Sequence, residues 1–109
     1  MPVWPTRPVT DQSRLTLRRW RVIQTPEGAQ HLIGYCIENR EGRVSSVVQE
    51  IDYETLIAKT GTGRVYALQG RPGADADAKY AWRRWAALNA VESWEDVTRS
   101  VWSRHEGAP

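Results

Sequence analysis

The chain has 109 residues, enough for one ordinary domain and too few for a second, and its 15 basic and 13 acidic residues leave a net charge of +2. With 40% hydrophobic and 26% charged residues it has the composition of a globular protein, which excludes a disordered chain. No stretch approaches the roughly 20 apolar residues of a membrane helix, and so even a charge balance does not mark a nucleic-acid binder.

Two biases stand out within that frame. The chain has no Phe but 6 Trp and 4 Tyr, so its aromatic side chains also carry a hydrogen-bonding group. Lys59 and Lys79 are the only lysines, and the remaining basic residues are all Arg. Arg pairs carboxylate or phosphate through a planar fork and stacks on aromatic faces. A GC-rich coding sequence would produce the same shortage of Lys and Phe.

In chain order, Met1 to Ser13 carries Pro2, Pro5 and Pro8 and no apolar run. It is expected to be an extended arm rather than a signal peptide, with Trp4 docked on the domain or on a partner. The domain itself is expected over 14–104, with a frayed end over 105–109. Arg14 to Gln24 alternates as a strand, but its apolar phase switches between Leu15 and Leu17 on one side and Trp20 and Val22 on the other. A bulge at Arg18-Arg19 would bring all four to one face. Thr25 to Gly28 is a turn. The next strand, about Gln30 to Asn39, has Ile33, Tyr35 and Ile37 on one face. After a turn at Arg40-Glu41-Gly42, Arg43 to Ile51 forms a third strand with a second bulge at Ser45-Ser46. Thr55 to Thr60 and Arg64 to Gln69 form a hairpin around Gly61-Thr62-Gly63. Links this short predict antiparallel neighbours, hence a curled five-stranded meander.

Gly70 to Gly73 ends that pattern, and helical spacing follows. Asp75 is the expected N-cap, with Asp77 in the first turn and an Asp75–Lys79 pair. Ala78, Ala81, Trp82, Trp85, Leu88 and Asn89 share one broad face, so a helix over Asp75 to Asn89 is expected to pack on the sheet. The stretch from Ser93 suits a second short helix, lined by Trp94, Val97 and Val101, although Val97-Thr98 also suits a strand. The fold class is therefore α+β.

Reactive groups are few. His31, Cys36 and His105 are the only His or Cys residues, and no pair has ligand spacing, so neither a metal nor another cofactor is expected. His31 reads as a surface residue and Cys36 as a buried thiol. Asp75/Asp77 and Glu95/Asp96 fall at expected helix starts, where the macrodipole explains them. Glu50, Asp52 and Glu54 cluster at a turn. Ala58 to Gly63 lacks the glycines and the following helix of a phosphate loop.

The main positive feature is Arg interleaved with aromatics. Arg18, Arg19, Trp20 and Arg21 share a strand, Arg43 and Arg64 open strands in matching Gly-Arg-Val phrases, and Arg83 and Arg84 sit between Trp82 and Trp85. These residues point to a non-catalytic protein that contacts another macromolecule, a protein in preference to a nucleic acid. Two alternatives stay open: a single-stranded nucleic-acid binder, and a small hydrolase using Glu50, Asp52 and Glu54. Edge strands also leave open a homodimer with a continuous sheet. A single cysteine points to a reducing compartment, so a cytoplasmic location without membrane contact is expected.

The segments GRVSSVV, TGTGRVYALQGRPG and YAWRRW together resemble a pattern of short bacterial proteins of unknown activity, some encoded near mobile elements. The resemblance covers about Gln30 to Thr98. It implies a phage- or plasmid-associated accessory role, such as an inhibitor bound to a host defence complex, and it assigns no functional residues.

Overall fold

The computed structural model describes residues 13–107. The expected arm lies outside them up to Gln12, and the expected frayed end lies outside them at Ala108 and Pro109. Seven strands and two helices follow in the order β1 (Arg14–Gln24), β2 (Gln30–Cys36), β3 (Glu41–Val44), β4 (Val48–Asp52), β5 (Ile57–Thr60), β6 (Val65–Gln69), α1 (Ala76–Leu88), β7 (Glu95–Asp96) and α2 (Thr98–Glu106). The class is α+β.

The sheet order is β3-β2-β1-β6-β5-β4. It consists of two antiparallel triplets joined by a parallel β1–β6 pair, in which Leu15 stands beside Tyr66 and Leu17 beside Leu68. The simple meander is therefore corrected to a mixed sheet. The cause lies in the Arg43 to Ile51 run, where a break replaces the expected bulge. β3 and β4 run in the same direction, so the sixth strand arrives parallel to the first.

That break also closes the sheet. β3 and β4 are the two edges, and in a flat six-stranded sheet they would lie about 24 Å apart. Ser45 to Val47 links them, and from Val44 to Val48 the chain spans at most about 14 Å. The sheet must therefore curl into a barrel, as the phase switches implied. Ser45 anchors one side: its N–H donates to Leu32 O at 2.8 Å, and its Oγ accepts from Leu32 N at 2.8 Å. Val47 O anchors the other, accepting from Gly61 N at 2.9 Å.

The barrel interior is the main core. The bulge in β1 occurs where expected: the β1–β2 register shifts between Arg18 and Arg21, and Arg19 takes a positive φ of 47°. It places Leu15, Leu17, Trp20 and Val22 inside, all fully buried, together with Leu32, Cys36, Tyr66 and Leu68. Gly34 lies opposite, where a Cβ would crowd Arg18 O and the Trp20 Cα.

Helix α1 covers the outer face of β2 and β3 and builds a second cluster from Ile23, Ile33, Ala78, Trp82 and Ala86. Its cap is as expected: the Asp75 side chain accepts from Ala78 N at 2.9 Å. Gly42 belongs to β3 rather than to the turn, paired with Tyr35, and a Cβ there would overlap the backbone of Asp77 and Ala78. The close approach of helix to strand requires glycine. Leu88 does not join the buried face and is 69% exposed.

The C-terminal elements begin later than expected. Glu95-Asp96 pairs with Ile23-Gln24 at the end of β1, in the space that β6 leaves free. Helix α2 starts at Thr98, whose N–H donates to Asp96 Oδ1 at 2.9 Å and whose Oγ1 accepts from Val22 N at 2.9 Å. Val101 seals the barrel core. The helix continues through His105, whose Nδ1 donates to Tyr53 O across 2.7 Å, so 105–106 are helical rather than frayed. Among the described residues, no helix is long and apolar enough to cross a membrane.

Candidate functional site

The expected Arg/Trp surface divides into structural and available residues. Trp20 is core, and its Nε1 donates to Gly70 O at 3.1 Å, because the bulge turns it inward. Arg43 is also internal: its Nε donates to Tyr66 Oη at 2.8 Å, and its guanidinium lies 5.9 Å from that ring. Arg64 is 5% exposed. These three residues therefore form no surface.

Arg19 is exposed but engaged. It pairs with Asp75 Oδ1 at 3.0 Å and lies 5.4 Å from the Tyr35 ring, so Asp75 serves Arg19 rather than Lys79. Arg21 is half-buried, held by Asp96 and by Gly73 O. Arg18 is exposed on the outer face of β1, and Arg83 and Arg84 are exposed on α1.

A site does form, centred on a residue expected to lie on a helix. Trp94 precedes β7, is 43% exposed, and stands edge-on to Trp82 at 5.4 Å and 87°. Trp82 stacks on Trp85 at 5.2 Å, and Trp85 meets His31 at 4.5 Å. This aromatic row runs from buried to exposed between α1 and the sheet. His31 is 3% exposed, and its Nδ1 donates to Ser45 O at 2.8 Å. Its expected surface position is overturned because α1 covers this face of β2.

Beside Trp94 lies a cleft of about 210 Å³ between α1 and β7, whose walls include Ile23, Ile33, Lys79, Trp82 and Arg83. Arg21 and Asp96 close its far side. Burial raises the Asp96 pKa, but hydrogen bonds from Arg21 and Thr98 and the Arg21 charge outweigh it and hold the carboxyl below its ordinary value. The pair is thus ionised and mutually satisfied. One signal in the sequence could have marked Trp94: it is a lone aromatic in the polar run Glu92-Ser93-Trp94-Glu95-Asp96, the setting of an exposed anchor.

Other chemistry-bearing groups have structural partners. Cys36 lies inside the barrel, where burial pushes its thiol pKa up, away from the reactive thiolate. Burial also opposes ionisation of Glu38, but hydrogen bonds from Thr16 N at 2.7 Å and Oγ1 at 2.8 Å prevail and hold its pKa low. Glu50 and Asp52 line an open groove of about 470 Å³ with Ile57, Lys59 and Val65. Glu50 stands opposite Lys59 in the β4–β5 ladder, and Asp52 Oδ1 accepts from Glu54 N and Thr55 N in a turn. Both carboxylates are exposed. Among the described residues, no group of three or more His, Cys, Asp or Glu could hold a metal ion.

No family model matches the chain, and it matches neither a curated protein nor a solved structure.

Proposed function

We propose that this is a non-catalytic binding protein whose partner is another protein, docked around Trp94 and the exposed face of α1. One observation carries the reading: Trp94 and Arg83 meet at a single cleft that combines the apolar side chains of Ile23, Ile33 and Trp82 with the charged ones of Arg21, Lys79 and Asp96. Trp, Tyr and Arg are the residue types that dominate protein interfaces. Tyr80 and Leu88 are further exposed apolar side chains on α1, with 43% and 69% of their areas exposed.

The same geometry disfavours a nucleic acid. Stacking platforms need an open sheet with aromatics and a continuous basic groove. Here Trp20, Arg43 and Arg64 are inside, Asp75 and Asp96 partner Arg19 and Arg21, and Glu95 and Asp96 lie beside the exposed indole. A single buried thiol supports a reducing, cytoplasmic setting. The resemblance to short proteins of mobile elements supports an accessory role of the kind that a small binder performs.

Fluorescence anisotropy with single- and double-stranded DNA and RNA oligomers, across a salt series, tests the choice of partner. The expected result is no binding even at low salt. An affinity that falls steeply with salt and disappears when Arg83 and Arg84 are changed to Ala would replace the protein partner with a polyanion.

A further inference from the structure

The cleft beside Trp94 also restricts what it can accept. Lys79 and Arg83 stand one helical turn apart on its α1 wall, and neither makes an ion pair among the described residues. The carboxylate expected to neutralise Lys79 is taken by Arg19. Across the cleft, Arg21 and Asp96 neutralise each other. Two uncompensated positive charges therefore border a floor made of Ile23, Ile33 and Trp82, with the Trp94 ring at its edge.

Two further observations point to an occupant. Trp82 is 3% exposed, yet its indole Nε1 has no hydrogen-bond partner. On the other side of Trp94 a second cleft of about 300 Å³ is lined by Gln24, Thr25, Pro26, Ser93 and Glu95, and Thr25 carries the other buried orphan, its Oγ1. Buried polar atoms are normally paired, so two orphans on residues that line the two clefts flanking Trp94 set this surface apart. The volume beside α1 falls below the roughly 300–1,000 Å³ of small-molecule sites, so it suits one or two side chains of a longer segment.

We propose that this cleft binds an acidic–aromatic segment of a partner protein, with a carboxylate against Lys79 and Arg83 and an apolar side chain against Trp94. The proposal rests on the protein-partner reading above and names the chemistry of that partner. A polyphosphate fits less well, because its closely spaced charges would meet Asp96 in this cleft and Glu95 in the next. A segment with one or two carboxylates placed at the α1 wall avoids both.

The test is a selection of displayed random dodecapeptides on the immobilised protein, followed by anisotropy with the selected peptides. Peptides carrying Asp or Glu next to Trp, Phe or Leu are expected. Their affinity should fall about tenfold or more in the K79E/R83E protein and in Trp94→Ala, with melting curves confirming that both variants fold. Neutral or basic peptides, or affinity unchanged in K79E/R83E, would overturn the acidic chemistry; loss of binding in Trp94→Ala alone would still uphold the protein-partner reading. Failure to enrich any peptide over the Trp94→Ala protein would overturn the cleft as a binding site.

Discussion

Individual arginines in this chain have opposite roles that their neighbours in sequence do not reveal. Arg43 fills the barrel interior and satisfies the buried Tyr66 hydroxyl, whereas Arg18 stands in water on β1. Arg43→Ala is therefore expected to cost about 2–3 kcal/mol, since a hydrogen bond to a charged group is lost and a buried acceptor is left unpaired. Arg18→Ala should change stability by less than about 0.5 kcal/mol. Urea denaturation of the two variants checks both, and equal effects would contradict the placement. Asp96 makes a residue-scale prediction in pH. Its folded pKa lies below the ordinary value of 3.8, so its contribution is present above that value and fades as pH falls through the folded pKa. Asp96→Asn should be less stable than the parent at neutral pH, with the gap narrowing towards pH 2 in thermal melts. The alternation in Arg14 to Gln24 and its phase switch made the inward turn of Trp20 legible. The burial of Arg43 was not, because strand alternation assigns faces only once the strand's neighbours are known.

Element boundaries follow the strength of their local signals. β1 and α1 occupy the expected residues because an interrupted period of two and an Asp cap with a period of 3.6 are strong local patterns. β7 and α2 carry weaker local signals: Ser93-Trp94-Glu95-Asp96 offers acceptable cap chemistry, but pairing with Ile23-Gln24 at the free end of β1 claims Glu95 and Asp96 as strand. The true start is at Thr98, which anchors α2 to β1 through its Oγ1 and to β7 through its N–H. Thr98→Val keeps the shape but leaves the buried Val22 N–H without a partner, and it is expected to cost about 1–3 kcal/mol. Hydrogen exchange should show faster exchange at Val22 and through α2, with α1 unaffected. Protection lost equally across the whole chain would deny α2 a distinct attachment. Trp94 is not legible as a site residue for the same reason, since a helix from Ser93 would turn it against the core.

At the scale of the whole molecule, sheet closure decides which surface is free. The barrel and α1 together bury both faces of β2 and β3, leaving the aromatic row most exposed at Trp94. No local pattern reveals this, because it depends on the shared direction of β3 and β4, set by the three residues from Ser45 to Val47. The α+β class, the curl and the packing of α1 were legible; the order of the strands and the location of the cleft were not. The measurement that tests the account most directly is the nitrogen–proton spectrum of the indole groups during titration with a selected acidic–aromatic peptide. The Trp94 and Trp82 resonances are expected to shift together with peptide concentration, while the resonance of Trp20, enclosed in the barrel, stays in place. A titration that shifts Trp20 and leaves Trp94 and Trp82 unmoved would contradict the proposed surface.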